Sequence, residues 1–155
     1  IRNHFMDIFK AHGHVAKDKR EGRALELIRK VGLPDRTLER YPGELSGGMR
    51  QRALIAIGLA CRPDLLIADE PTTALDVTTQ KAILALISSL AVDLDLAVLL
   101  ITHDMGVVWQ AAQDVYVMHN GVIVEQGAPG DVLEHPRHER TRAFLSRVLN
   151  PLNAN

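Results

Sequence analysis

LLIADEPTTALDVTTQKAILALISSLAVDLDLAVLLITHD, residues 65–104, carries two unbroken apolar runs separated by a helical pattern, and that arrangement decides the fold class. Leu65–Ala68 is apolar throughout and stops sharply at Asp69-Glu70-Pro71. Leu96–Ile101 is a second such run, and it stops at Thr102-His103-Asp104. Short apolar runs bounded by polar residues suit buried strands, and a helix crossing between two of them makes the pairing parallel. Residues 76–91 supply that helix, with Asp76 or Thr73 as its candidate cap. The expectation is a β-α-β unit whose strands are covered on both faces.

Upstream of this unit no strand is convincing. Residues 1–16 are open, although Phe5, Ile8 and Phe9 fall on one helical face. Leu25, Ile28 and Val31 give residues 18–31 a helical spacing, and Gly32 with Pro34 stops it. A second helical stretch near 35–40 ends before Tyr41-Pro42-Gly43. From Gly47 to about Cys61 runs a helix that is apolar almost all round (Leu54, Ile55, Ile57, Leu59), a pattern that predicts burial. Downstream, a short helix near 105–112 precedes Val115–His119 and Val122–Gln126, which flank Asn120-Gly121, a strong hairpin signal. Helices near 129–134 and 138–149 complete the pattern. The fold class is therefore α/β, divided into a helical subdomain over 1–62 and an α/β part over 63–155.

Composition bounds the function. The 155 residues suit one domain of ordinary size, and 46% hydrophobic with 24% charged residues places the chain among globular proteins. A net charge of −1 offers nothing to a nucleic acid or an anionic membrane. The single Cys61 excludes a disulfide framework and fits a reducing compartment. No apolar run approaches the ~18 residues of a membrane span.

Polar residues at the carboxyl ends of parallel strands are where ligands bind in α/β proteins. Asp69 and Glu70 end the first strand. One carboxylate there suits Mg²⁺, which keeps several waters, and the other can polarise an attacking water. His103 follows the second strand, where a neutral imidazole could hydrogen-bond a terminal phosphate. Ser46, Gly47 and Gly48 open the helix from residue 47, with Arg50 and Arg52 just inside it. A helix mouth with two glycines is an anion-binding design. Yet no G-x-x-x-x-G-K-[ST] phosphate loop occurs in the chain. His12, His14, His135 and His138 lack the three or four convergent ligands that zinc requires. Trp109 reads as packing or a contact surface.

Together these segments resemble the ATPase subunit of ATP-binding cassette (ABC) transporters. LSGGMRQR (45–52) resembles that family's signature loop, LLIADE (65–70) its Walker B strand, TALD (73–76) its D-loop and ITHD (101–104) its switch-histidine strand. NGVIVEQG (120–127) extends the match. YPGELSGGMRQR, ADEPTTALDVTTQ and ITHDMGVV are most similar to the peptide-importer branch, which handles dipeptides, oligopeptides and nickel. His138-Glu139-Arg140 departs from the His-Pro-Tyr common in that branch, and no Cys-bearing extension precedes Asn155.

The resemblance implies part of a P-loop NTPase fold, with ATP as substrate and Mg²⁺ as cofactor. The Walker A and Q-loop segments would lie upstream of Ile1, so these 155 residues alone are not expected to hydrolyse ATP. The Walker A strand would lie beside Leu96–Ile101, so that edge is expected to be bare and apolar here. Two cassettes would stack head to tail. Asp69 (Mg²⁺, through water), Glu70 (catalytic base) and His103 (γ-phosphate sensor) would serve the chain's own ATP. Ser46, Gly47, Gly48, Met49 and Gln51 would serve the ATP of the partner cassette, and Asp76 would couple the two sites. Partners implied are a second ATPase subunit, transmembrane permease subunits and, indirectly, an extracytoplasmic substrate-binding protein, at the cytoplasmic face of the membrane. The alternatives are a soluble ABC-type ATPase of DNA repair or translation, and a non-catalytic regulatory cassette. The absence of sustained heptads argues against a repair type.

Overall fold

The computed structural model describes residues 1–149. Residues 150–155, the end of the part expected as 63–155, lie outside the described residues. The chain forms two compact units, Ile1–Ile101 and the part from Thr102 onward. One core cluster runs from Phe5 to Leu96, so the N-terminal helices and the first sheet share their buried surface.

In the first unit, α1 (Arg2–His12) buries Phe5 and Phe9, whose rings stack with centroids 5.9 Å apart. Gly13 ends it with a left-handed backbone (φ 67°). α2 (Arg20–Lys30) buries Ala24, Leu27 and Ile28, and Gly32 (φ 72°) stops the chain where the sequence signal places it. The helix expected near 35–40 is a 3₁₀ helix over Asp35–Glu39. Five residues after Pro34 are too few to offset the cost of an α-helical nucleus. α3 (Gly47–Gly58) buries Ala53, Ile55 and Ala56, but Leu54 is 59% exposed, so its apolar circumference is not fully covered.

β1 (Leu65–Asp69) and β2 (Ala97–Ile101) pair in parallel, Leu65 opposite Ala97 and Asp69 opposite Ile101. The crossover between them is α4 (Val77–Asp93), which buries Ile83, Leu84, Ile87 and Leu90. The expectation of strands covered on both faces is not met. Leu66 and Val98 pack on the shared core, whereas Leu65, Ile67 (60% exposed), Leu99 and Ile101 line the opposite face in the open. The core formed with α3 and α4 lies against one face only. Among the described residues β2 pairs with β1 alone.

The second unit begins with α5 (Met105–Ala111), followed by antiparallel β3 (Val115–His119) and β4 (Val122–Gly127). Asn120 (φ 50°) and Gly121 (φ 77°) both adopt left-handed backbones, as a two-residue hairpin turn of that hand requires. α6 (Pro129–Glu134) and α7 (Glu139–Leu149) follow. Val107, Val132 and Leu145 are buried here. The Glu125 carboxylate accepts the N–H groups of Arg137 (2.6 Å) and His138 (3.1 Å), which fastens the chain entering α7. His138 Nδ1 in turn accepts the Arg140 N–H (3.2 Å), so this histidine serves the helix start.

Candidate active site

The loop from β1 to α4 is held by backbone and side chain together. Asp69 ends β1 on its exposed face. Glu70 follows with a left-handed backbone (φ 48°), while its N–H still donates to the Ile101 carbonyl of β2 (2.9 Å). The ladder therefore extends one bond past the strand. Thr73 then turns back: its hydroxyl donates to Glu70 Oε2 (2.8 Å) and its N–H to the Glu70 carbonyl (3.2 Å). Thr72 is buried beneath, and Ala74 takes a second left-handed backbone (φ 62°). Two non-glycine residues in this strained region within five positions mark a loop that the surrounding structure holds in place.

Of the two candidate caps for α4, the structure selects Asp76. Its carboxylate accepts the Thr79 N–H (2.9 Å) and the Thr79 hydroxyl (2.8 Å). These bonds, the backbone one foremost, hold the Asp76 carboxyl below the ordinary aspartate value of 3.8. A depressed folded value means that the cap's contribution is fully present above 3.8 and is lost as pH falls through the depressed value. Thermal melts of the full-length subunit from about pH 5 to about pH 2 are expected to show a steeper acid-side loss for the native sequence than for Asp76→Ala. Parallel curves for the two would show that the bonds to Thr79 carry no linkage.

At the mouth of α3, Ser46 is the N-cap, and its hydroxyl oxygen accepts the Met49 N–H (3.3 Å). Gly47 and Gly48 form the first turn, where backbone N–H groups have no acceptor within the helix. The partly buried Met49 side chain packs on the core and Gln51 is half-buried. Arg52 turns inward, donating to the Val31 carbonyl (2.8 Å) instead of facing an anion.

His103 belongs to the second unit, two positions past the end of β2, and is exposed. Asp104 beside it caps α5, accepting the N–H groups of Gly106 (2.8 Å) and Val107 (3.3 Å). The structure thus brings Asp69 and Glu70 to one strand end and places Asp76 and the α3 mouth within the same unit. Thr73, Thr79 and Asp104 are the polar partners that sequence reasoning passed over, Thr73 having been weighed only as a cap. Ser/Thr/Asp three positions from an acidic or helix-start residue is the signal that points to them.

The donor set fits Mg²⁺ and not a fully protein-ligated metal. Among the described residues no group of three or more His, Cys, Asp and Glu converges on one point. Asp69 offers a single exposed carboxylate at the strand end, which suffices for a cation that retains most of its water.

The family model described as ABC transporter matches residues 2–73. A probable peptide ABC transporter ATP-binding protein of Sinorhizobium fredii is 52% identical over 150 residues, 96% of this chain and 45% of the relative. The dipeptide transport ATP-binding protein DppD of Escherichia coli is 47% identical over 142 residues, 90% of this chain and 43% of the relative. The oligopeptide transport ATP-binding protein AmiE of Streptococcus pneumoniae is 50% identical over 143 residues, 91% of this chain and 40% of the relative. The chain therefore spans less than half the length of these relatives. A dimeric structure of a post-hydrolysis state of an ATP-binding cassette, bound to ADP and Pi, is similar over 79% of this chain and 52% of its own, with a TM-score of 0.64 and 33% identity. The family model, the relatives and the solved cassette converge on one family: this chain is similar to the ATP-binding cassette ATP-binding proteins of transporters.

Proposed function

We propose that the full-length subunit hydrolyses ATP to drive import of oligopeptides or dipeptides, with nickel the other substrate of that branch. The observation that carries this reading is an identity of 46% to 52% with peptide-transport ATP-binding proteins over nine-tenths of the chain. Two cassettes stack head to tail, each ATP lying between the strand-end carboxylates of one and the α3 mouth of the other. Glu70 polarises a water toward the γ-phosphorus, the bond to the β-γ bridging oxygen breaks, and ADP and phosphate leave. Mg²⁺, when bound with ATP, neutralises charge on the β- and γ-phosphates, and Asp69 would hold it through water. His103 senses the γ-phosphate, while Ser46, Gly47, Gly48, Met49 and Gln51 close on the partner's nucleotide, and Asp76 couples the two sites.

Phosphoryl transfer asks the protein for positioning and charge more than covalent chemistry. A site split between chains therefore turns over only when closed, and closure moves the permease subunits to which the cassettes dock at the cytoplasmic face. Among the described residues no helix is long and apolar enough to cross a membrane. These residues contain no G-x-x-x-x-G-K-[ST] loop, so turnover is assigned to the full-length pair and not to this stretch alone. The soluble-ATPase and regulatory readings have less support, because the curated relatives carry transport names.

The test is ATP turnover by the full-length subunit purified with its permeases in vesicles. Binding protein loaded with a di- or oligopeptide is expected to stimulate phosphate release severalfold. Stimulation by DNA or ribosomes, with no response to loaded binding protein, would overturn the importer reading.

A further inference from the structure

We infer that Thr79 is a positioning residue that locks the α3 mouth to the Asp76 loop, and that Thr79 by itself demands glycine at position 48. A Cβ on Gly48 would lie 2.6 Å from Thr79 Cγ2, closer than real Cβ contacts come. Thr79 cannot step aside. Its hydroxyl donates to Asp76 Oδ2 (2.8 Å) and its N–H to Oδ1 (2.9 Å), so turning χ1 to withdraw the methyl breaks the hydroxyl bond. A second contact runs in parallel: a Cβ on Gly47 would lie 3.1 Å from Leu75 Cδ2. Both glycines of the α3 mouth therefore sit against the residues that flank Asp76, all within one compact unit.

A shift in the first turn of α4 is passed directly to the backbone N–H groups of α3. The consequence for turnover rests on the proposed ATPase reading; the packing claim does not. A misplacement of about 1 Å can cost on the order of 100-fold in rate, so a rigid contact at this point matters to a site closed between two chains.

Three variants of the full-length subunit, assembled with its partner, test this: Gly48→Ala, Thr79→Ser and the two combined. Serine keeps the hydroxyl bond to Asp76 and removes the methyl that faces Gly48. Gly48→Ala is expected to lower kcat per folded subunit by about tenfold or more with KM for ATP unchanged. The double variant is expected to return to within about threefold of Thr79→Ser alone. Combining Gly48→Ala with Thr79→Val, which keeps a methyl in place, is expected to give no recovery. A double variant no faster than Gly48→Ala, or recovery with valine as well as serine, overturns the inference.

Melting midpoints without nucleotide read the same cycle independently of catalysis: Gly48→Ala lowers the midpoint and Thr79→Ser restores it. They separate failure of the packing from failure of the ATPase reading, because a wild-type pair without turnover still yields the melting cycle. Should Gly48→Ala not fold, Thr79→Val alone is expected to lower kcat severalfold at constant KM, and a kcat equal to wild type overturns the positioning role.

Discussion

Changing Glu70 to Gln is expected to lower ATP turnover by the assembled full-length pair by roughly 100- to 10 000-fold while nucleotide binding persists. The substitution is nearly isosteric. Its Oε1 can still accept the Thr73 hydroxyl that holds Glu70 Oε2 at 2.8 Å, so the loop keeps its shape. What is lost is the capacity to take a proton from the attacking water. Phosphate release and binding of a fluorescent ATP analogue, measured side by side, separate the two effects. Turnover within about tenfold of wild type would reduce Glu70 to a turn residue and remove the base from the proposed mechanism.

Changing Gly48 to Asp is expected to abolish turnover in the pair while the lone full-length subunit binds ATP as before. The first turn of α3 attracts anions through its backbone N–H groups, and a carboxylate planted there competes with a phosphate for them. The new Cβ also collides with Thr79 Cγ2. On the proposed head-to-tail reading, both effects fall on the nucleotide of the opposite cassette. Loss of ATP binding by the lone subunit would instead mean that this helix mouth serves its own site. The alanine and serine cycle at positions 48 and 79 measures how much of the loss is packing and how much is charge.

The β-α-β unit is legible because Leu65–Ala68 and Leu96–Ile101 are continuous apolar runs of strand length, each ended by a polar cluster. Helix stops at Gly32 and the Asn120-Gly121 turn are legible because both positions need left-handed backbones. Exposure of one sheet face is not legible, since Leu65 and Ile67 are as apolar as Leu66 and nothing local says which side a helix covers. The 3₁₀ turn at Asp35–Glu39 escapes because its periodicity cannot be told from a frayed helix over five residues. At the site, residue types announce Asp69, Glu70 and the glycines. The meeting of Gly48 with Thr79 lies 31 positions apart on two helices, and only packing reveals it.

The left-handed backbone at Glu70 sets stability against activity. Glycine at that position would relieve the conformation at φ 48° without disturbing the bond from its N–H to Ile101, and would remove the carboxylate. Selection for a sturdier subunit alone therefore pulls this residue toward an inert one. On the proposed reading, glutamate there is a backbone cost carried for catalysis, and stabilising screens that ignore turnover are expected to enrich variants at this position.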